Sequence, residues 1–452
     1  MIQPMTLTMA AQTFGGTLMY PDCEFSAVST DSRHIREGDV FVALRGERFD
    51  AHNFLPDVAT RASGMVVEYA DRDINLPQWV VPDTTVALGQ LALLNRQCFR
   101  GPVVAITGSS GKTTVKEMVA AILGECGAVL ATKGNLNNQI GVPLTLLSLT
   151  AKHRFAVIEM GASGPSEISY LCSLAKPDVV LVNNVLPAHV SGFGSLEGIA
   201  NAKGEIYSGV CSEGTAVINL DESWASQWRA TTLARVVSYS LVKKSADFHA
   251  KAMVPDPQGC FSFVLVTPVG EAAVQLAVSG RHNVANALAA AACAHAAGAD
   301  LGAVAAGLNK VRAVPGRLHR QMLATGGTLI DDTYNANPGS VKAAVDTLMT
   351  ISGKQILVLG DMGELGDSEA ALHGEVGRYA ADKGVSHLLA VGPLSINTVR
   401  EFGPGAEHLD SKEQLLERLQ SLLDKDAVVL VKGSRFMAMD SVVKMITELG
   451  EH

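Results

Sequence analysis

The order of apolar and polar residues divides the chain into three stretches with different patterns. In residues 1–84, short alternating runs such as 39–44 and 64–68 are separated by Gly, Pro and Asp residues. Alternation between such turn residues is typical of short strands joined by tight turns. This stretch therefore predicts a small mixed α/β domain that ends near residue 84.

Residues 85–315 carry continuous apolar runs, each followed by a longer segment with helical spacing. Continuous apolar runs are typical of parallel strands with both faces buried. They predict strands at 103–107, 155–159, 179–182 and 216–219. Residues 247–278 alternate instead, which predicts an antiparallel addition, and a segment rich in Asn, Ala and Leu predicts a long helix at about 283–297.

The segment 314–317, Val-Pro-Gly-Arg, interrupts this pattern and predicts a second boundary. Beyond it, apolar runs at 328–331, 355–359, 387–391 and 427–431 predict strands with helices between them. This alternation favours a third, Rossmann-like α/β domain. The expected fold is therefore α/β in three domains, at residues 1–84, 85–315 and 316–452, with a parallel-sheet ATPase domain in the centre.

Composition and charge narrow the classes of partner. The 452 residues have a formal net charge of -9 and no long run of Lys or Arg, so a nucleic-acid backbone is not an expected ligand. The 7 Cys residues are scattered without a Cys-x-x-Cys pair, which favours free thiols in a reducing compartment. No segment resembles a secretory signal, and the most apolar stretch, 284–297, is shorter than the ~20 residues of a membrane span. We expect a cytoplasmic protein without membrane insertion.

One short motif indicates nucleotide binding. The segment from Thr107 to Thr113, Thr-Gly-Ser-Ser-Gly-Lys-Thr, joins a predicted strand to a predicted helix. Glycines allow backbone N–H groups to face phosphates, the Lys supplies charge, and the last Thr hydroxyl suits Mg²⁺. Ile106 stands where the common form of this loop has a further Gly. The expected ATP-binding residues of this loop are Thr107, Gly108, Ser109, Ser110, Gly111, Lys112 and Thr113.

Nucleotide binding alone does not identify the reaction, because a kinase would use the same loop. Glu159 adds a carboxylate at the end of the strand predicted at 155–159, where it could bind Mg²⁺ beside the phosphates. The alternative is a carboxylate that caps the next loop.

Further motifs occur in order along the chain, and together they resemble those of the Mur ligase family. They are the segments 30–33, 41–50, 134–143, 202–206, 280–286, 331–340 and 360–366. The resemblance covers essentially the whole length. It implies an ATP-dependent amide ligase of peptidoglycan synthesis that joins D-alanyl-D-alanine to UDP-N-acetylmuramoyl-tripeptide, through an acyl phosphate, with release of ADP and phosphate. It also implies a first domain for the UDP end of the acceptor, a second for ATP and a third that closes with the incoming amine.

The resemblance also assigns roles near the γ-phosphate. It implies that Thr113, Glu159, His189 and Lys203 form the metal site, with Lys203 converted by CO₂ to a carbamate, and that Lys112 acts with them in catalysis. Spacing alone favours an ordinary helical Lys203 paired with Glu205, and a surface position for His189. Ser191 stands where related chains often have an acidic residue, so a contact beside His189 differs.

Binding residues follow from the same resemblance. Asn283 and Asn286 match the segment beside adenine, although Asn283 could equally cap a helix. Arg317 and Asp332 match residues that reach the nucleotide from the third domain, and Asp332 could instead belong to a turn. The expected acceptor and dipeptide residues are Ser32, Arg33, Asn135, Asn137, Asn138 and Arg435. The asparagines could simply build turns, and Arg435 could lie on a surface loop.

Two other interpretations stay open from the sequence. One is a sister ligase that adds diaminopimelate or glutamate, although the Asp-Asn-Pro-Arg motif usual for the former is absent. The other is a phosphate-loop switch that hydrolyses ATP without joining substrates. The sequence predicts a monomer only as a default.

Overall fold

The computed structural model of the chain describes residues 1–47, 49–187 and 190–448. Within them lie a two-stranded ribbon and three larger sheets of five, nine and six strands. Most neighbouring strands in the larger sheets are parallel and are joined through helices, so the expected α/β class is confirmed.

The N-terminal unit is a five-stranded sheet in the order β2-β7-β6-β5-β4, with β2 antiparallel to β7 and the other pairs parallel. The runs predicted at 39–44 and 64–68 form β5 and β6, each somewhat shorter than expected. The strands are β1 (Met5–Thr6), β2 (Thr17–Met19), β3 (Glu24–Phe25), β4 (Ala27–Ser29), β5 (Asp39–Val42), β6 (Gly64–Val67) and β7 (Gln78–Val80). The helices are α1 (Leu7–Phe14), α2 (Leu55–Val58) and a 3-10 turn at Ala51–Phe54.

The central unit is a nine-stranded sheet in the order β16-β15-β14-β13-β12-β11-β8-β10-β9. Its strands are β8 (Val103–Thr107), β9 (Val129–Ala131), β10 (Phe155–Glu159), β11 (Val179–Val182), β12 (Thr215–Asn219), β13 (Arg235–Ser240), β14 (Phe248–Pro255), β15 (Cys260–Thr267) and β16 (Gly270–Ser279). Its helices are α3 (Thr84–Gln97), α4 (Lys112–Gly124), α5 (Gly141–Leu147), α6 (Glu167–Ala175), α7 (Val190–Phe193), α8 (Leu196–Ser208), α9 (Ala225–Thr231), α10 (Arg281–Ala296) and α11 (Leu301–Lys310).

The central strand β8 shows why these runs are continuously apolar. Val103 and Ala105 belong to the core that contains α3 and α6, whereas Val104 and Ile106 belong to the core that contains α4 and α10. Successive side chains of a strand point to opposite faces, so a strand covered on both sides needs apolar residues at every position. The parallel part of the central sheet is therefore covered by helices on both faces.

Two other expectations for this unit are confirmed. Strands β14, β15 and β16 pair antiparallel over the region predicted at 247–278. The Ala-rich helix forms as α10, although it begins at Arg281 rather than near 283. Most of its Ala residues are buried, because their small side chains let the helix approach the sheet closely.

The C-terminal unit is a six-stranded sheet in the order β17-β18-β22-β19-β20-β21, parallel except for β17. Buried side chains form a core on each face of it. Its strands are β17 (His319–Met322), β18 (Thr328–Asp332), β19 (Lys354–Gly360), β20 (His387–Val391), β21 (Ala406–Leu409) and β22 (Ala427–Lys432). Its helices are α12 (Pro338–Leu348), α13 (Glu369–Lys383), α14 (Ile396–Phe402), α15 (Lys412–Gln420) and α16 (Asp440–Glu448), with 3-10 turns at Gly366–Ser368 and Arg435–Met437.

The helices of the described residues are all too short or too polar to cross a lipid bilayer.

Candidate functional site

The Gly-rich loop leads directly from β8 into the N-terminus of α4, which begins at Lys112. Gly111 precedes this helix with a φ of 75°, a left-handed conformation that favours glycine. A Cβ atom there would lie 2.6 Å from the side-chain nitrogen of Asn183 and 2.9 Å from the side-chain oxygen of Asn286. Gly111 therefore permits both the turn and the close approach of these two amides.

Two asparagines that follow β11 hold the loop in place. The backbone N–H of Ser109 donates to the Asn184 carbonyl at 2.9 Å, and that of Ser110 donates to Asn184 Oδ1 at 2.8 Å. Asn183 Nδ2 donates to the Ser110 carbonyl at 3.0 Å. This pair was not predicted from the sequence. The only available signal was two amides directly after an apolar strand.

Lys112 and Thr107 lie at opposite ends of the loop. Lys112 Nζ donates to the Gly108 carbonyl at 2.7 Å. Burial lowers the pKa of Lys112, the nearby Glu159 carboxylate opposes this shift, and Arg317 adds to it. Among the described residues, Thr107 Oγ1 is a fully buried side-chain oxygen without a hydrogen-bond partner. A loop with a partly buried cation and an unsatisfied hydroxyl has the chemistry of an anion site.

Glu159 ends β10 as expected, and its carboxylate turns toward the loop. Oε2 accepts a hydrogen bond from Thr113 Oγ1 at 2.8 Å, and Oε1 accepts one from Asn137 Nδ2 at 2.8 Å. The side chain is buried, with 2% of the residue exposed. A hydroxyl and a carboxylate beside a phosphate loop fit Mg²⁺, which commonly takes few protein ligands and completes its shell with phosphates and waters.

No three His, Cys, Asp or Glu side chains cluster as a ready metal cage within residues 1–47, 49–187 and 190–448. His189 lies outside the described residues, so its expected role stays a prediction. A divalent metal at Thr113 and Glu159 would thus rely on nucleotide oxygens for further ligands.

Lys203 lies on α8 and is almost completely buried, with 2% of the residue exposed. Burial lowers the pKa of Lys203 to about 7, the positive charge of Lys112 adds to the shift, and Glu167 opposes it. Its alternative partner, Glu205, instead accepts hydrogen bonds from the backbone N–H groups of Ser166 and Ser169, at 2.7 and 3.0 Å. Burial thus favours the neutral form of this amine, which is the form that reacts with CO₂.

The two asparagines of α10 form a series of hydrogen bonds that ends at the loop. Asn283 Nδ2 donates to the Ser279 carbonyl at 2.7 Å, and Asn286 Nδ2 donates to Asn283 Oδ1 at 2.8 Å. Asn286 Oδ1 in turn accepts from Asn183 Nδ2 at 3.1 Å. The residue before the helix is Gly280, so Asn283 does not act as the N-cap.

Residues of the C-terminal unit reach the loop directly. Arg317 Nη2 donates to Thr113 Oγ1 at 2.7 Å, and its guanidinium carbon lies 4.0 Å from the centre of the Tyr334 ring. The Arg435 guanidinium carbon lies 5.2 Å from the same ring. Tyr334 therefore supports two arginines through cation–π contacts, a role that its position in the 331–340 motif did not reveal.

Asp332 forms a largely buried ion pair with Lys432, which was not predicted from the sequence. Its Oδ2 lies 2.5 Å from Lys432 Nζ, and its Oδ1 accepts a hydrogen bond from the Leu318 N–H at 3.1 Å. The two residues end the adjacent strands β18 and β22 and pair in register. Because the Leu318 backbone follows Arg317 directly, Asp332 helps to hold that arginine in place.

These groups meet at a cavity of about 560 Å³ between the central and C-terminal units. Besides Lys203, four Lys and Arg side chains and three carboxylates line it, an excess of positive charge that suits a polyanionic ligand. The expected residues that line it are Ser109, Ser110, Gly111, Lys112, Thr113, Asn135, Asn137, Asn138, Glu159, Lys203, Asn283, Asn286, Arg317, Asp332 and Arg435.

Ser32 and Arg33 lie in the N-terminal unit, in the turn that follows β4. Arg33 donates two hydrogen bonds to the Asp31 carboxylate, at 2.9 and 2.8 Å. The Ser32 carbonyl accepts a hydrogen bond from Arg61 at 3.0 Å. Their expected contact with the UDP end of the acceptor stays a prediction.

Comparison with known proteins identifies two family matches. The Mur ligase middle domain matches residues 106–294, and the Mur ligase, glutamate ligase domain matches residues 316–435. The chain is 46% identical over 449 residues to the UDP-N-acetylmuramoyl-tripeptide–D-alanyl-D-alanine ligase of Escherichia coli strain K12, with 99% of each chain covered. It is 34% identical to the ligase of the same name from Bacillus subtilis strain 168, with 98% of each covered.

Solved structures agree with these matches. A crystal structure of MurF from Acinetobacter baumannii aligns with a TM-score of 0.93 at 37% identity over 99% of both chains. MurF ligase from Thermotoga maritima in complex with ADP aligns with a TM-score of 0.83 at 28% identity, covering 94% of this chain and 98% of that one. A Mycobacterium tuberculosis folylpolyglutamate synthase, at 18% identity and a TM-score of 0.66, shares the fold alone.

Proposed function

The chain belongs to the Mur ligase family, and from this premise we propose that its interdomain cavity joins D-alanyl-D-alanine to UDP-N-acetylmuramoyl-tripeptide with ATP, in peptidoglycan synthesis. The observation that carries the proposal is the convergence of Lys112, Glu159 and Arg317 on one cavity between the central and C-terminal units. Identity to ligases of this activity extends over the whole chain, which favours the full two-substrate reaction over ATP hydrolysis alone.

We propose that the first step transfers the γ-phosphoryl group to the tripeptide carboxylate. Both reactants are anionic, so their repulsion is a large part of the barrier. Lys112 and Arg317 would face the phosphates from opposite units, with Arg317 leaving the Thr113 hydroxyl to do so. Thr113 and Glu159 would hold Mg²⁺, which would withdraw charge from the phosphate oxygens. The helix N-terminus at Lys112 adds a favourable dipole.

In the second step, the free amine of D-alanyl-D-alanine would attack the acyl carbon, and phosphate would leave. The carbamate of Lys203 is proposed as a further anionic ligand near the γ-phosphate, since Lys203 lines the cavity and its burial favours the neutral amine. The enclosing cavity would keep water from the acyl phosphate. The amine loses a proton as the amide forms, so the sum of both steps is one amide bond, ADP, phosphate and a proton.

The assignment of substrates to units is also a proposal. Residues 1–84 would bind the UDP end of the acceptor through Ser32 and Arg33, residues 85–315 would bind ATP, and residues 316–452 would bind the dipeptide. The amides of Asn135, Asn137 and Asn138 would face the muramoyl-peptide. Arg435 would bind the carboxylate of the dipeptide, because a guanidinium group can donate two hydrogen bonds to one carboxylate. A cytoplasmic location and a monomeric state stay predictions.

A phosphate-release assay tests the proposed function. Purified protein, ATP and Mg²⁺ are combined with the muramoyl-tripeptide and, in turn, D-alanyl-D-alanine, diaminopimelate or glutamate. We expect phosphate release only when both the tripeptide and D-alanyl-D-alanine are present. Equal release without any amine would support an ATPase switch instead, and preference for another amine would support a sister ligase.

Replacing Arg317 by Met should lower kcat by about a hundredfold, because one cationic donor to the reacting phosphates is lost. The measurement is initial rate at saturating acceptor and dipeptide. Arg320→Met is the matched control: Arg320 lies three residues further on, in β17, where it contacts Thr328. We expect that control to stay within about twofold of the unmodified protein, since surface substitutions have small effects. Equal rates for the two variants would contradict the role of Arg317.

A further inference from the structure

Lys116 is a buried cation of α4 that the steps above do not use. It is 1% exposed, and its Nζ donates to the Thr132 carbonyl at 2.6 Å. Nζ also lies 2.6 Å from Oε1 of Glu117, whose side chain is partly exposed. Burying an ammonium is costly without partners, and here the Thr132 carbonyl and the Glu117 carboxylate are its partners.

The partner of Lys116 is itself in contact with Glu159. Thr132 follows β9 directly, and its N–H donates to the Val157 carbonyl at 3.0 Å. Its side-chain oxygen accepts the backbone N–H of Glu159 at 3.0 Å. Thr132 is 1% exposed, so water does not readily replace these bonds. Lys116, Thr132 and Glu159 thus form a continuous buried chain of contacts.

The same helix also holds the other end of Glu159. Thr113 and Lys116 are three residues apart on α4, a spacing that places both on one helical face. Thr113 donates to the Glu159 carboxylate, while Lys116 reaches the Glu159 backbone through Thr132. Asn137, in the segment that follows Thr132, donates to the second carboxylate oxygen.

We infer that Lys116 is a positioning residue that fixes the Glu159 carboxylate relative to Thr113 and so sets how tightly the site holds metal-bound nucleotide. This inference rests on the proposed function, because it takes Thr113 and Glu159 as the metal side of the ATP site. Lys116 is not among the residues that line the cavity, and it acts through Thr132. Partners that orient metal ligands commonly change metal affinity by 10–100-fold when they are removed.

The test measures binding rather than turnover. Calorimetry gives the affinity of the full chain for β,γ-methylene-ATP, once with Mg²⁺ and once with EDTA. In Lys116→Met, which keeps the length of the side chain, we expect the gain in affinity from Mg²⁺ to fall about tenfold, and the affinity in EDTA to stay unchanged. A purely structural role would lower Tm without changing this gain.

Two control variants separate the carbonyl contact from other roles of the lysine. Glu117→Gln removes the ion pair but keeps the Lys116 contact to Thr132. Lys310→Met removes a contact to Glu125, near the far end of the same helix region. Both should leave the Mg²⁺-dependent gain within about twofold, since neither touches the Thr132 carbonyl or Glu159.

Thr132→Val keeps the test decisive if Lys116→Met fails to fold. This variant removes only the oxygen that accepts the Glu159 N–H, and it should also reduce the Mg²⁺-dependent gain. In a double variant, the two effects should combine to less than their sum, because both act through one chain of contacts. An unchanged gain in Thr132→Val would overturn the inference. Failure of the unmodified protein to bind the analogue would instead overturn the proposed function.

Discussion

Lys112→Met is expected to lower kcat for ligation by at least about a thousandfold, the largest effect of any single substitution proposed for this protein. The ammonium group is the cation of the phosphate loop itself, positioned at the N-terminus of α4 beside the Gly108 carbonyl. Burial lowers its pKa, so the protein holds this charge at a cost that an anionic ligand would offset. Met retains the length of the side chain and removes only the charge and the donor.

The measurement is single-turnover formation of ADP, with nucleotide affinity determined in parallel. Lys152→Met is a suitable control because Lys152 is exposed in the turn between α5 and β10. Its rate should match that of the unmodified protein within about twofold. A Lys112→Met protein that folds and ligates at more than a tenth of the normal rate would show that the loop does not stabilise the reacting phosphates.

Lys203→Ala is expected to have the second largest effect, a loss of about a thousandfold at ambient CO₂. The change removes the amine that would become a carbamate and leaves the cavity without that anionic ligand. Lys251→Ala is the control, since Lys251 is exposed and pairs with Glu271 on the antiparallel strands of the central unit. Full activity of Lys203→Ala would show that the carbamate is not needed.

Carbon NMR with labelled bicarbonate provides a direct readout of the same proposal. CO₂ reacts only with the neutral amine, and the pKa of Lys203 is lowered to about 7 by burial. The neutral fraction therefore rises as the pH increases through 7, and the carbamate signal should rise with it. The signal should be missing from Lys203→Ala and present in Lys251→Ala. A signal of equal size in both variants would place the modification on another lysine.

Much of the architecture could be predicted because it follows from local pattern. Strands β8, β10, β11 and β20 begin and end at the predicted residues, since each is a short apolar run bounded by polar or turn residues. The antiparallel addition and the Ala-rich helix were predicted for the same reason. Helix α4 begins earlier than its apolar residues indicate, because the loop geometry lets the helix start at Lys112.

The functional groups divide in the same way. The residues of the phosphate loop are consecutive, so the sequence from Gly108 to Thr113 was enough to predict an anion site. Glu159 was a reasonable prediction because it ends a buried strand. Asn184 and Thr132 were not predictable, because each acts through a backbone or side-chain contact with a residue far along the chain. The pairing of Asp332 with Lys432 spans 100 residues.

The sequence by itself determined most of the buried parallel strands, the phosphate loop and, through its ordered motifs, the family. These depend on neighbouring residues, whose spacing is fixed by the covalent chain. Only the tertiary structure decided that β8 lies between β10 and β11, and β22 between β18 and β19. The order in the C-terminal sheet places Lys432 beside Asp332, because parallel strands bring distant residues to one edge of a sheet through long crossovers. The contact of Lys116 with Thr132 comes from packing of α4 against the central sheet, and that of Arg317 with Thr113 from the approach of the two units.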